Sequence, residues 1–319
     1  MFTLDQLKNT ASLIYKTMSP TPQYNWPQIS SSTGCEVWVK HENHTPTTAF
    51  KVRGGINLVN KLANQAEKVK GIISATRGNH GQSLAFAGAL HNIPVMIVVP
   101  EDNSEDQNRA IKSYGAELII HGNDYEEARQ YAAKLEQESG FLYIPPFMPE
   151  LVEGVATYAL EFLTAIQDMD TVYVPIGMGT GICGMIKTRD LLGSSTKIVG
   201  VVAEGAPAFA LSYEAGKVVT TPHANTMADG VATRTPMEEA FDIIKSGVDR
   251  IVVVNDHQIS EAMYEFYQGT HNLVEGAGAL PLAALNKEKE QMAGKKVGLI
   301  CSGGNVGFNR FCSYVMPFC

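Results

Sequence analysis

The sequence predicts an α/β protein in which parallel sheets are covered by helices. Short runs rich in β-branched residues alternate with longer segments of helical spacing, and this order is typical of parallel sheets. The short runs are mostly apolar rather than alternating, as strands buried on both faces should be. With 319 residues, 45% of them apolar, the chain can form one large or two ordinary domains without disulfides or structural metal.

The predicted strands, in chain order, are 71–74, 93–99, 117–120, 171–176, 197–203, 250–254 and 296–301. The predicted helices are 50–67, 82–91, 103–114, 125–138, 151–165, 182–192 and 259–268. Ser104 and Asp124 are placed to cap helix N-termini, and Gly115 is placed to end a helix. Three prolines at 143–149 (YIPPFMP) indicate a connection, either between domains or as a surface loop.

Composition excludes several classes of function. The formal net charge is −8, so neither nucleic acid nor an anionic membrane surface is an expected partner. The first 16 residues lack the apolar core of a signal peptide, and no stretch approaches the length of a membrane span. The five cysteines are odd in number and irregularly spaced, which favours free thiols in a cytoplasmic protein over a zinc site.

A glycine-rich segment, VPIGMGTGICG at 174–184, joins a predicted strand to a predicted helix. Backbone N–H groups at such a turn favour an anion, so the segment is interpreted as a phosphate cradle in preference to a tight turn without a ligand. Residues 179–184 also fit the G-x-G-x-x-G pattern, and Glu204 ends the next strand where a ribose-binding acid would lie. A nicotinamide-dependent enzyme is therefore a rival hypothesis.

Three other segments argue against that rival. In TTAFKVRGG at 47–55, Lys51 follows Phe50 near a helix start, and burial beside Arg53 would lower the pKa of its amine and allow a Schiff base. SATRGNHGQ at 74–82 lies between a strand and a helix. CSGGNVG at 301–307 follows a strand, where open α/β sheets bind ligands.

A resemblance to a known family rests on four motifs that occur together and in a fixed order. They are the lysine in FKVRGG, the asparagine in RGNHGQ, the glycine loop and CSGGNV. Over roughly residues 35 to 307, the chain resembles the serine/threonine dehydratases of the fold-type II pyridoxal-phosphate enzymes, a family that also contains serine racemases. The resemblance implies two parallel-sheet α/β domains with the cofactor, pyridoxal 5′-phosphate, in the cleft between them. We expect a large domain from 1–69 and 149–319, a small domain from 70–148, and a homodimer. Because the chain ends soon after CSGGNV, we expect no C-terminal regulatory domain and no end-product feedback.

The resemblance also implies roles for single residues. Lys51 corresponds to the catalytic lysine that binds the cofactor. Asn79 corresponds to the residue that hydrogen-bonds the ring hydroxyl, the glycine loop to the segment that binds the phosphate, and Ser302 to the residue that faces the pyridine nitrogen. The full set of remaining cofactor-binding residues is Phe50, Asn79, Gly177, Met178, Gly179, Thr180, Gly181, Glu275 and Ser302. The substrate-binding residues are Thr76, Arg77, Asn79 and His80. Glu204 matches a metal-binding glutamate of some family members, but no second acid follows it, so no metal site is predicted.

The implied reaction removes the β-hydroxyl and the amine of an amino acid of the L-threonine or L-serine type and gives a 2-oxo acid and ammonia. Lys51 is the general base, and a hydroxyl at 302 favours β-elimination. The chain departs from the family at Ala49, where a serine is usual, and at Arg77, which replaces the serine that racemases use as an acid and base. Two alternatives remain open: an amino-acid racemase and a non-catalytic protein that binds the cofactor or an amino acid.

Arg77 also suggests a hypothesis about the substrate. Its guanidinium can pair with a second carboxylate, as in 3-hydroxyaspartate, or stack on an aromatic ring, as in phenylserine. Alternatively, it turns outward or braces a carboxylate of the protein. The sequence leaves these possibilities open.

Overall fold

The computed structural model describes residues 1–319. Its strands are β1 Gln23–Asn25, β2 Glu36–His41, β3 Ile72–Ala75, β4 Val95–Val99, β5 Glu117–Ile120, β6 Leu142–Tyr143, β7 Thr171–Pro175, β8 Lys197–Ala203, β9 Arg250–Val254 and β10 Lys296–Cys301. Its helices are α1 Leu4–Ile14, α2 Pro27–Thr33, α3 Lys51–Ala63, α4 Asn79–His91, α5 Glu105–Ser113, α6 Tyr125–Ser139, α7 Pro149–Ala165, α8 Thr180–Leu191, α9 Ala208–Ala215, α10 Glu238–Gly247, α11 Asp256–Thr270, α12 Gly276–Met292 and α13 Phe308–Val315.

The larger of two sheets has six strands in the order β1-β2-β10-β7-β8-β9. All neighbours are parallel except the edge pair of β1 and β2. β10 lies between β2 and β7, with Val297 aligned to Val37 on one side and Thr171 on the other. The C-terminal strand is therefore central to the sheet, and the loop after it emerges at the edge where the parallel strands end.

The smaller sheet has four parallel strands in the order β5-β4-β3-β6 and is built from residues 72–143. This range lies inside the predicted small domain, although the boundaries at 69/70 and 148/149 stay a prediction. The proline-rich connection leads from β6 to α7, and it buries Ile144 and Phe147, so it is more than an exposed surface loop. Helix α3 packs against both α4 and α7 and thus lies where the two sheets' helices meet.

Below the start of α3, four charged side chains are buried together: Lys40, Glu42, Arg53 and Glu161, here called the buried ion cluster. The Arg53 guanidinium contacts Glu42 at 2.7 Å and Glu161 at 2.6 Å, and Lys40 contacts Glu161. The formal charges cancel, and Thr21 and Thr157 complete the hydrogen bonds of Arg53. Because each charge has a partner, the cluster can stay ionised away from water.

The predicted α/β class with parallel sheets is confirmed, and strands 117–120, 197–203, 250–254 and 296–301 have the predicted bounds. Asp124 caps α6 through the N–H of Glu127, and Gly115, with φ of +85°, follows α5. Ser104 occupies the position before α5, but its side chain makes no capping bond. The predicted elements lack β1, β2, β6 and several helices, among them α12, whose glycines and internal Pro281 are unfavourable for an isolated helix. No helix is both long and apolar enough to cross a membrane.

Candidate active site

A cleft opens at the carboxyl ends of the strands of both sheets, between the loops that follow β3, β7 and β10. Helix α3 supplies the fourth side. Every residue that the sequence assigned to the cofactor or the substrate lines this cleft: Phe50, Lys51, Thr76, Arg77, Asn79, His80, Gly177, Met178, Gly179, Thr180, Gly181, Glu275 and Ser302. Glu204, on which the nicotinamide hypothesis depended, is exposed and does not line the cleft.

Lys51 is the first residue of α3, and its amine faces the cleft. Nζ donates a hydrogen bond to Thr180 Oγ1 at 3.0 Å and lies 5.2 Å from the centre of the Phe50 ring. No carboxylate pairs with it, and burial lowers the pKa of the amine to about 8. The expected contribution of Arg53 to this shift is wrong, because Arg53 leaves the helix on the opposite side and is neutralised in the buried ion cluster.

The glycine loop between β7 and α8 presents backbone N–H groups at the cleft. The N–H groups of Thr180, Gly181 and Ile182, in the first turn of α8, have no acceptor within the protein. Gly179 has φ of +96°, a backbone conformation that favours glycine, and a Cβ on Gly177 would lie 2.3 Å from the carbonyl oxygen of the neighbouring loop. The loop therefore has the free donors, the helix N-terminus and the tight backbone of an anion cradle.

Two aromatic residues support this loop from below. Tyr158, fully buried on α7, donates its hydroxyl proton to the carbonyl of Gly181 at 2.8 Å. The Phe50 ring meets the Tyr158 ring edge to face, with centroids 6.3 Å apart. The position of the glycine loop is thereby coupled to the start of α3 and to Lys51.

Asn79, the first residue of α4, faces Glu275 across the cleft. Its Nδ2 donates to Glu275 Oε1 at 2.8 Å, and its Oδ1 accepts from Asn305 Nδ2 at 2.7 Å. Burial raises the pKa of the Glu275 carboxyl to about 7, an effect that the Asn79 hydrogen bond partly opposes. Glu275 is therefore poised to gain or lose a proton near neutral pH.

The segment after β10 is held against the chain that leads into Lys51. Phe50 N–H donates to the carbonyl of Ser302 at 3.0 Å, and Ala49 and Gly303 form an isolated antiparallel bridge. Thr48, in the same stretch, has φ of +52°, which is strained for a β-branched residue. These contacts bring Ser302 and Lys51, which are far apart in sequence, into the lining of the same cleft.

The loop after β3 carries the predicted substrate-binding residues. Thr76 Oγ1 accepts from the N–H of Gly78 and stabilises the turn into α4. His80 is buried, its Nε2 lies 3.4 Å from a backbone carbonyl, and burial followed by the charge of Lys51 lowers its pKa to about 3, so the imidazole is neutral. Arg77 lines the cleft but pairs with the exposed Asp102 at 3.0 Å, so it braces a carboxylate of the protein in this structure.

The fold and this cleft define a class of protein: a two-sheet α/β enzyme with a lysine of lowered pKa and an anion cradle in one site. A family model described as "Pyridoxal-phosphate dependent enzyme" matches residues 14–303, so the chain belongs to this family. This match confirms the predicted cofactor and, with the solved structures described next, the fold-type II architecture. The predicted dehydratase family and ammonia-lyase class are confirmed by the relatives described next.

The similar proteins include ammonia-lyases and a racemase. The L-threo-3-hydroxyaspartate ammonia-lyase of Saccharomyces cerevisiae is 32% identical over 314 residues, which are 98% of this chain and 96% of that protein. The L-threonine ammonia-lyase of Thermotoga maritima is 31% identical and covers 97% of this chain and 77% of that protein. Among solved structures, the maize serine racemase has a TM-score of 0.91 at 29% identity, with coverage of 99% of this chain and 97% of that one.

The residues of the cleft fit the cofactor of this family. A lysine with a lowered pKa lies beside an anion cradle with free N–H groups, and a hydroxyl and an amide face the same space. Other residues that line the cleft were not predicted from the sequence, among them Tyr125, Asp229, Asn305 and Arg310. Asn305 could have been found, because it belongs to the CSGGNVG motif; Tyr125 and Asp229 lie in segments without any motif.

Proposed function

We propose that this chain is a pyridoxal-phosphate-dependent ammonia-lyase for β-hydroxy amino acids of the L-threonine or L-serine type. The observation that carries the proposal is the Lys51 amine, which is partly buried, has no ion-pair partner, and lies 3.0 Å from the Thr180 hydroxyl at the anion cradle. At pH 7 a lysine of ordinary pKa has a free-amine fraction of only about one in 3,000, whereas a pKa of about 8 raises that fraction to about one tenth.

Four sites on the chain would hold the cofactor. Lys51 would bind it covalently through its amine, and the N–H groups at the start of α8, with the Thr180 hydroxyl, would bind its phosphate. Asn79 would donate to the ring oxygen, and the Ser302 hydroxyl would face the ring nitrogen. Phe50, Gly177, Met178 and Glu275 would form the remaining contacts around it. When bound, pyridoxal phosphate supplies an electron sink that makes the Cα proton of an amino acid removable.

The chain's own groups then move and hold protons. The Lys51 amine takes the proton from the substrate Cα atom, a role that its lowered pKa allows near neutral pH. A neutral serine hydroxyl facing the ring nitrogen does not hold a proton there as a carboxylate would, which favours early loss of the β-hydroxyl over a long-lived carbanion. The amino acid loses water, regains water on hydrolysis, and ends as a 2-oxo acid and ammonia.

The substrate α-carboxylate would bind at the loop of Thr76, Asn79 and His80, where α4 begins. A neutral His80 suits this place because it can donate a hydrogen bond without adding charge. Arg77 would extend specificity to a second carboxylate, as in 3-hydroxyaspartate, by exchanging its contact with Asp102 for the substrate. The exposed position of Asp102 supports this, since such an ion pair is weak and exchangeable.

A panel of substrates tests the proposal. Purified protein with pyridoxal phosphate should release 2-oxo acid from L-threonine, L-serine, L-threo-3-hydroxyaspartate or phenylserine. Lys51→Ala should abolish this release, and Lys61→Ala, a surface change on the same helix, should not. Release of no 2-oxo acid from any substrate by the cofactor-loaded protein would contradict the proposal and favour the binding-protein alternative.

The similarity to maize serine racemase keeps a racemase as the second candidate, and it is separated by chiral analysis of the serine that remains after incubation with L-serine. D-serine formation without pyruvate would favour the racemase. The homodimer and the cytoplasmic location also stay predictions. Light scattering of the purified protein tests the dimer: a mass near twice the chain's 34.6 kDa supports it, and a single-chain mass contradicts it.

A further inference from the structure

Asn305 is central to the hydrogen bonds of the cleft, although the proposed reaction assigns it no role of its own. It follows β10 in the CSGGNVG motif and is partly buried. Its Nδ2 donates to the carbonyl of Thr47 at 2.8 Å and to Asn79 Oδ1 at 2.7 Å, and its Oδ1 accepts from the Thr48 hydroxyl. Both N–H groups of the Asn305 amide and its oxygen therefore have partners in the protein.

These contacts fix which way both amides are turned. The Thr47 carbonyl can only accept, so the nitrogen of Asn305 must face it. The second proton of that nitrogen then goes to Asn79, whose oxygen must turn toward Asn305. The Asn79 nitrogen is therefore turned away, toward Glu275 and the cleft.

One donor of Asn79 is left over by this arrangement. An amide nitrogen carries two protons, and the Asn79 nitrogen has a single acceptor in the protein, Glu275 Oε1. The other N–H is available to a ligand in the cleft. With Asn79 turned the other way, its carbonyl oxygen would face the Glu275 carboxylate, and both would repel an anionic ring oxygen.

We infer that Asn305 is a positioning residue. It orients the Asn79 amide so that the free N–H of Asn79, and not its oxygen, faces the oxygen of the cofactor's ring hydroxyl. This inference rests on the proposed function, because it assumes the cofactor in this cleft. Asn305 also links the two sheets' segments: its carbonyl accepts from Gln107 Nε2 on α5 at 2.9 Å, and Gln107 in turn accepts from Gln82 on α4. The orientation of Asn79 thus depends on a contact made across the cleft.

Cofactor binding to the cofactor-free protein provides a test with a readout other than activity. Asn305→Ala, which removes both donors without adding charge, should raise the dissociation constant for pyridoxal 5′-phosphate at least about tenfold and shift the visible absorption band of the bound form. Asn305→Asp, of the same shape but without donors, should do the same. Asn309→Asp, the same chemical change at an exposed residue nearby, should bind the cofactor as the wild type does.

A double-mutant cycle separates positioning from a general structural role. If Asn305 acts through Asn79, the Asn79→Ala/Asn305→Ala protein should bind the cofactor within about twofold of Asn79→Ala alone. The inference is overturned if either Asn305 variant binds within twofold of the wild type, or if the full loss persists in the Asn79→Ala background. Loss of the far-ultraviolet dichroism of the native fold in both Asn305 variants would also overturn it. Failure of the wild type itself to bind the cofactor would instead refute the proposed function.

Discussion

We expect Lys51 to destabilise the cofactor-free protein, because the surroundings of its amine disfavour the charged form. The pKa of this amine is about 8 in the folded protein against an ordinary value of 10.5. Below pH 8 the amine is charged in both the folded and the unfolded state, and burial makes that charge unfavourable only in the folded state. Lys51→Met, which keeps the length of the side chain without the charge, should therefore stabilise the cofactor-free protein at pH 7.

The difference between the two pKa values corresponds to about 3 kcal/mol, at about 1.4 kcal/mol per pH unit. The lost hydrogen bond to Thr180 Oγ1 offsets about 1 kcal/mol, so a net gain of about 2 kcal/mol is expected at pH 7. As pH rises from 8 to 10.5, the unfolded state holds more protons than the folded one, so the stability of the wild type rises relative to that of the variant. Near pH 10 the burial penalty falls below about 1 kcal/mol and the gain disappears.

Urea unfolding of the two cofactor-free proteins, measured by tryptophan fluorescence at pH 7 and pH 10, tests this expectation. Lys16→Met is the matched control, because Lys16 is exposed and has no ion-pair partner; it should change stability by less than about 0.5 kcal/mol at both pH values. The reasoning is refuted if Lys51→Met is no more stable than the wild type at pH 7. A gain of the same size at both pH values would equally refute it, because the effect would then not be electrostatic.

Three further predictions concern other parts of the molecule. Arg53→Met should lower the free energy of unfolding by about 3–5 kcal/mol in urea, because it leaves the buried Glu42 carboxylate without an ion-pair partner. Lys61→Met at a surface ion pair should cost less than about 1 kcal/mol, and similar losses in the two variants would contradict the role of the buried ion cluster. Gly177→Ala should weaken pyridoxal phosphate binding on the order of tenfold by titration, because its Cβ would lie 2.3 Å from the Gly230 oxygen; unaltered binding would show that the loop adapts. Arg77→Ser should shift the ratio of kcat/KM for L-threonine over L-threo-3-hydroxyaspartate at least about tenfold toward threonine, and an unchanged ratio would end the dicarboxylate hypothesis.

The fold class could be read from the sequence because its signal is local. Strands buried on both faces are short apolar runs, and β8 and β10 were found with their observed bounds for this reason. β1 and β2 were not predicted, because they lie near the sheet edge and mix polar with apolar residues. α12 escaped because the position of Pro281 in a helix is decided by tertiary packing, which outweighs local propensity.

Some parts of the site could be predicted from the sequence and others could not. Residues within a local motif were found, whereas contacts that depend on the orientation of single side chains were not. Lys51 and the glycine loop carry recognisable motifs, so their convergence in one cleft could be expected. The relation between Asn79 and Asn305 depends on which atom of each amide faces the other, and no one-dimensional pattern contains that information. The pairing of Arg77 with Asp102 was likewise open at the sequence level, since both inward and outward positions fit the motif.

Lys51 and Arg53 show how two basic residues of one motif acquire opposite properties. They are two positions apart at the start of α3, about 200° around the helix, so they leave it on opposite sides. Arg53 enters a site with two carboxylates and keeps its charge, whereas Lys51 enters a cleft where no carboxylate pairs with it and its pKa falls. The ion pairs of Arg53 anchor the helix from beneath, and that anchoring holds the reactive amine at the cradle without neutralising it. A carboxylate beside Lys51 would have the opposite effect: it would raise the pKa of the amine and reduce its uncharged fraction at neutral pH.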